Sequence, residues 1–138
     1  MPTPVTQVPA ANSELALQHF QMGLAFETDC WDVHAALAAG ADFVLLDVRS
    51  ADAYARAHVP GAISLPHAKI IEGRLRAYAP DTLFVVYCAG PHCNGAQRAA
   101  IRVASLKRPV KLMIGGMTGW LDEGFEVARG EVAAASPA

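Results

Sequence analysis

Two cysteines, Cys88 and Cys93, lie in a short loop that follows the apolar run Leu83-Phe84-Val85-Val86-Tyr87 and precedes a helical pattern from about Ala96 to Leu106. A loop that carries the chain from a buried strand into a helix N-terminus presents backbone N–H groups and the positive end of the helix dipole, and both favour an anion. A thiolate on Cys88, where strand gives way to loop, is stabilised in the same manner; its pKa falls and it becomes a candidate nucleophile. A strand-end cysteine can also serve only as a small hydrophobe, but the loop weighs against that reading. Gly90 and Gly95 let the backbone approach a ligand closely, His92 and Asn94 bring donors for an anion, and Ala89 and Pro91 complete the segment. Cys93 competes for the role, because Cys93-Asn94-Gly95-Ala96-Gln97-Arg98 places an arginine after four intervening residues.

The remaining chemistry-bearing residues are sparse. The three cysteines, Cys30, Cys88 and Cys93, are an odd number without CxxC spacing, which excludes a zinc knuckle and an even disulfide framework. Cys30, behind the capping residue Asp29, reads as packing. His19, His34 and His67 are scattered without ligand spacing, so no metal site is expected. Asp47 ends the apolar run Phe43–Leu46, where an unpartnered carboxylate would be costly, so it requires a buried partner.

The composition narrows the function classes. A chain of 138 residues, 53% of them hydrophobic, supports one domain. Much of that fraction is alanine, so the core must rest on the Val, Ile, Leu, Phe and Trp clusters. Thirteen acidic against eleven basic side chains give a net charge of −2, with no footprint for a nucleic-acid backbone. The apolar runs fall far short of the roughly 20 residues of a membrane helix. Met1 to Ala11 has neither the basic nor the apolar region of a secretory signal, so a cytoplasmic location is expected.

The elements that must position the loop follow from pattern and punctuation. Met1–Ala11 and Glu131–Ala138 read as flexible tails around a domain spanning 12–130. Asn12 or Ser13 caps a helix over Glu14–Met22, Leu24–Glu27 reads as a short strand, and Thr28 or Asp29 caps a helix ended by Gly40. Phe43–Val48 reads as a strand buried on both faces, and Ser50 caps a helix over Asp52–Ala57. A strand at Ala62–Leu65, a helix at Glu72–Tyr78, the strand before Cys88, the helix after it, a strand at Val110–Ile114 and a helix at Met117–Glu123 complete the order. In that last helix Trp120 and Leu121 are expected to face inward. The alternation predicts an α/β fold, a parallel sheet with helices on both faces.

Leu46-Asp47-Val48-Arg49, Tyr54, His58-Val59-Pro60-Gly61-Ala62-Ile63, Val85-Val86-Tyr87-Cys88, Gly115-Gly116 and Trp120 together resemble a rhodanese domain, in that family's order and spacing, over roughly Phe26 to Val127. The resemblance implies a rhodanese-like fold and a sulfurtransferase. Its loop cysteine takes a sulfane sulfur from a donor such as thiosulfate, holds it as a persulfide and passes it to cyanide or a small or protein thiol. Sulfite would leave as the thiolate attacks, and loop N–H groups would hold the persulfide anion, with no metal or organic cofactor. The distance to Gly115 favours Cys88 over Cys93 as the carrier. The loop is longer than usual and resembles a subgroup with Tyr-Cys followed by Gly-Pro-x-Cys-Asn-Gly, in which the second cysteine could resolve a persulfide or sulfenic acid on the first. By the same resemblance Asp47 and Arg49 help order the loop, Arg49 adds positive potential, and His58 is a structural turn histidine.

Two other classes remain open on sequence. Relatives of this fold that bind phosphate or arsenate place five residues between Cys and Arg, whereas Cys93 and Arg98 enclose four and Cys88 and Arg98 nine. A binding or regulatory module that has lost turnover is the third reading, motivated by the altered loop.

Overall fold

The two continuously apolar runs form the central strands of a five-stranded, wholly parallel sheet in the order β1-β5-β4-β2-β3. The computed structural model describes residues 1–130; the second tail, 131–138, lies outside the described residues. The elements are α1 (Ser13–Phe26), β1 (Glu27–Thr28), α2 (Cys30–Ala39), β2 (Val44–Asp47), α3 (Ala51–Arg56), β3 (Ile63–Ser64), α4 (Glu72–Leu75), β4 (Phe84–Tyr87), α5 (Gly95–Ser105), β5 (Val110–Met113) and α6 (Gly116–Asp122). Residues 1–12 carry no helix or strand.

Both faces of the sheet are covered, as the α/β pattern predicts. On one face Val33 of α2, Tyr54 of α3 and Met117 and Trp120 of α6 pack against Leu45, Val85 and Tyr87. On the other, Leu75 of α4 and Ala96, Ala99 and Val103 of α5 pack against Leu46, Phe84 and Val86. Alternate residues of β4 thus serve opposite layers, and burying each large one contributes about 1.5–3 kcal/mol.

The helix caps fall where the side chains allow. Asn12, Asp29 and Ser50 accept from Leu15, Asp32 and Ala53 N–H groups at 2.9, 2.8 and 3.2 Å, and Gly40 ends α2 at φ 94°. Three expectations are corrected. Leu24–Phe26 continues α1 through Gly23 and only Glu27–Thr28 forms a strand, because Leu and Ala favour helix and a single glycine does not end it. The helix expected over Glu72–Tyr78 stops at Leu75; beyond it the Arg108 guanidinium gathers the carbonyls of Leu75, Tyr78 and Ala79 at 2.8, 3.2 and 2.8 Å. Leu121 is 53% exposed, so α6 presents Trp120 to the core without it.

The topology fixes where a ligand can sit. From β2 the chain crosses to β3 on one side, and from β4 it crosses through α5 to β5 on the other. The carboxyl ends of the adjacent strands β2 and β4, registered Asp47 to Tyr87, therefore flank the switch point of the sheet, where the crevice of such folds opens. Cys88 is the next residue along β4.

The floor of the crevice rests on Gly116. At φ +58°, its missing side chain leaves room for the 88–90 backbone: a Cβ there would overlap the Cys88 carbonyl and lie 2.9 Å from the Gly90 nitrogen. Left-handed strain and overpacking together should make Gly116→Ala less stable by about 2–4 kcal/mol in urea unfolding. A loss below about 0.5 kcal/mol would show that the loop does not depend on this approach.

Candidate functional site

The loop from Cys88 to Gly95 is tied to α6 at its Cys88 end and closed by a turn of its own. Met117 N–H donates to the Cys88 carbonyl at 2.9 Å, and the Thr118 N–H and hydroxyl both donate to the Ala89 carbonyl, at 2.9 and 3.0 Å. Cys93 N–H closes a turn onto the Gly90 carbonyl at 3.1 Å. Gly115-Gly116 provides the close approach that lets α6 reach the loop.

The two loop cysteines meet. A Cβ placed on Gly95 would lie 2.7 Å from Cys88 Sγ and 3.3 Å from Cys93 Sγ, so the sulfurs stand no farther apart than the sum of those distances, with no side chain between them. Both are free thiols; Cys88 is 5% exposed and Cys93 is half-buried. Gly95 N–H points at Cys93 Sγ at 3.4 Å.

Their protons are unequally held. Burial and the hydrogen bond Cys88 makes to Cys93 push the Cys88 thiol up to about 11, and the Ala89 and Gly95 N–H groups only partly oppose this. The Cys88 thiol donating to it, followed by the Gly95 N–H, holds Cys93 below an ordinary thiol. The sequence expects the loop to lower the Cys88 thiol; desolvation at the strand end outweighs the loop dipoles and raises it, while Cys93 is held lower.

Two cavities open on this pair. One, of about 190 Å³, is bounded by Gly90, Pro91, Gln97 and Ile114; the other, of about 440 Å³, by Val48, Arg49, Ser50, Pro66 and His67. Cys88 and Cys93 line both. Of the other loop residues, Ala89, Pro91 and His92 are exposed, and the Asn94 side-chain oxygen accepts from Arg98 Nε at 3.1 Å.

Beneath the pair lies a buried polar network. Asp47, fully buried, accepts from the Arg49 N–H at 3.0 Å, from its Nε at 3.1 Å, from its Nη2 at 2.7 Å and from the Tyr87 hydroxyl at 2.6 Å. Arg49 Nη2 also donates to the Ala57 carbonyl at 2.6 Å, and Tyr87 Oη accepts the Val59 N–H at 3.1 Å. Burial and the Asp47 carboxylate raise the Tyr87 phenol far above its ordinary range, so it stays a donor. His58 lies beside this network rather than at the thiols: Nδ1 donates to the Tyr54 carbonyl at 2.8 Å and its ring stacks on Tyr54 at 3.7 Å.

Cys30 is remote from the pair in function. It is buried against α6, its Sγ faces the Ile114 and Gly116 carbonyls at 3.8 and 3.7 Å, and burial raises its thiol to about 11. Sequence reasoning gave no site role to Tyr87, Thr118 or His67. The tyrosine had a usable signal, a hydroxyl among β4 residues registered opposite a buried carboxylate, whereas Thr118 and His67 join the site only through tertiary contact.

A parallel α/β sheet with a thiol pair at its switch-point crevice defines a class of thiol-bearing domains. The chain matches the Rhodanese-like domain family over residues 31–123, and it belongs to that family. It is 34% identical over 96 residues to the HTH-type transcriptional regulator Rv0324 of Mycobacterium tuberculosis, covering 65% of this chain and 42% of that protein, so it spans less than half of that relative. The crystal structure of the BH2092 protein of Bacillus halodurans superposes with a TM-score of 0.83 at 38% identity, over 86% of this chain and 87% of that one. A thiosulfate sulfurtransferase from Pseudomonas aeruginosa superposes with a TM-score of 0.67 at 29% identity, over 88% of this chain and 23% of that one.

Two measurements check the site. Asp47→Ala would leave the Arg49 guanidinium and the Tyr87 hydroxyl without their acceptor, and should cost about 3–5 kcal/mol in urea unfolding; a change under about 1 kcal/mol would show the network to be dispensable. Alkylation rate follows the thiolate fraction and access, so iodoacetamide at about pH 8 should modify Cys93 well before Cys88 in the native chain. Equal rates, or Cys88 first, would contradict the arrangement of protons described above.

Proposed function

We propose that this chain is a sulfurtransferase that carries a sulfane sulfur as a cysteine persulfide in the 88–95 loop. It takes the sulfur from a small anionic donor such as thiosulfate and gives it to a thiophilic acceptor. Cyanide would serve in an assay and a small or protein thiol in the cytoplasm, where thiols are kept reduced. The observation that carries the reading is the adjacency of two free thiols at the mouth of two cavities, with the Gly95 N–H directed at one of them. A thiolate attacks the donor's outer sulfur, sulfite departs with the electron pair, and the new persulfide anion takes the place of the thiolate before the loop N–H groups. Membership of the rhodanese-like family and the likeness to a thiosulfate sulfurtransferase support this chemistry. The Cys-x-Gly-Pro-x-Cys-Asn-Gly loop marks the subgroup to which we assign the chain, its second thiol standing where the shorter loop has none.

Asp47 and Arg49 act here as positioning residues. Their ion pair holds the end of β2 beside Tyr87 and so fixes where Cys88 leaves the sheet. One relative is described as a transcriptional regulator, which favours a second reading in which the loop thiols sense rather than turn over.

Intact mass after thiosulfate treatment of the reduced chain, with excess small thiol present, separates the two. Catalysis predicts continuous sulfite production at sub-stoichiometric protein, abolished when both Cys88 and Cys93 are replaced by alanine. Modification that stops after one round, with no sulfite beyond the protein concentration, would support the sensing module instead.

A further inference from the structure

The geometry points to a division of labour in the thiol pair: Cys93 takes the sulfur from the donor, and Cys88 then displaces it as hydrosulfide, leaving a Cys88–Cys93 disulfide. This rests on the persulfide reading above and deepens it, since it assigns the loop a reductive step as well as a transfer.

Three observations carry it. Cys93 is the more exposed thiol and has the Gly95 N–H at 3.4 Å, so an entering donor meets it first, whereas Cys88 is buried behind it at the strand end. Gly95 keeps the space between the sulfurs open: a methyl there would press on both, at 2.7 and 3.3 Å. The loop that joins the cysteines is anchored just after Cys88, through its own carbonyl and that of Ala89, and its 91–92 segment is exposed.

The steps balance. The Cys93 thiolate bonds to the outer sulfur of thiosulfate, the bond from that sulfur to the sulfonate breaks, and sulfite leaves, which gives Cys93 a persulfide anion. The Cys88 thiol transfers its proton to the terminal persulfide sulfur and its own sulfur attacks Cys93 Sγ. The Sγ–Sγ bond forms, the bond to the terminal sulfur breaks, and hydrosulfide leaves with the electron pair. The two cysteines lose two electrons and the sulfane sulfur gains them. A dithiol reductant, small or protein-borne, restores the pair by exchange.

This outcome differs from simple transfer, in which an acceptor attacks the terminal sulfur and both cysteines stay reduced. Attack on the inner sulfur is what a thiol held at a fixed, short distance from Cys93 Sγ can achieve and a diffusing acceptor rarely does.

The test uses the full reduced chain with thiosulfate and no added thiol, reading hydrosulfide by trapping and protein by intact mass. The wild type should release roughly one equivalent of hydrosulfide and lose two hydrogens, with reductant returning the original mass. Cys88→Ser should gain one sulfur, keep it, and release at least tenfold less hydrosulfide. Cys93→Ser should form the adduct at least tenfold more slowly than Cys88→Ser. A wild type that retains the added sulfur without hydrosulfide or disulfide would overturn the resolving step while leaving the persulfide reading intact, as would an adduct that maps to Cys88. No adduct and no hydrosulfide in any of the three proteins would overturn the persulfide reading and this proposal with it. The wild-type result alone decides whether the resolving step occurs, and the site of the adduct in the two variants decides which cysteine takes the sulfur.

Discussion

The hydrogen bond from the Tyr87 hydroxyl to the Asp47 carboxylate, 2.6 Å long and fully buried, joins the last residues of the two central strands. Everything at the site hangs from those two ends. Asp47 is followed by the turn that carries Arg49, and Tyr87 is followed by Cys88. A buried carboxylate is tolerable only where its lone pairs are filled, and here Arg49 and Tyr87 fill them together. Tyr87 in turn accepts the Val59 N–H, which binds the segment after His58 to the same point. The switch-point crevice is therefore held open by polar contacts of defined length rather than by apolar packing alone, and those contacts specify direction where packing specifies only proximity.

Strand geometry alone would make Cys88 the acidic thiol, since it stands where an α/β sheet binds anions. The structure shows why position is insufficient. Desolvation raises a thiol at the same strand end whose N–H groups would lower it, and the balance tips upward because Cys88 lies behind the loop rather than in front of it. The loop supplies a second sulfur closer to solvent, that of Cys93, whose thiol is held lower.

The sheet was legible because its signals are redundant. Val44–Asp47 and Phe84–Tyr87 are strand-length, apolar and bounded by turn residues, and the caps Asn12, Asp29 and Ser50 are side chains with a specific hydrogen-bonding job. The failures share one cause: a local pattern decided by a distant partner. Leu24–Phe26 is apolar enough for a strand, yet pairing with β5 begins only at Glu27 opposite Leu112. The end of α4 is set partly by Arg108, more than thirty residues away in sequence. At the site the residue types were readable and the proton was not, because burial of a thiol is a property of the finished fold.

The electrostatics of the crevice follow from what is already neutralised. The Arg49 guanidinium lines the larger cavity, yet it is committed to a buried carboxylate and to the Ala57 carbonyl, so its charge is largely compensated before any ligand arrives. Arg98 lies on the exposed surface of α5 with its Nε engaged by Asn94. A chain with a net charge of −2 offers little long-range attraction to an anion. What remains to receive negative charge is the short-range field of the loop N–H groups and of the α5 N-terminus, which acts over a few ångströms and falls away beyond the first turn. Such a field holds a sulfur anion bonded to the loop far better than it captures a free one from solution. That short-range field favours negative charge on a thiol already seated in the loop over attraction of a free anion from a distance.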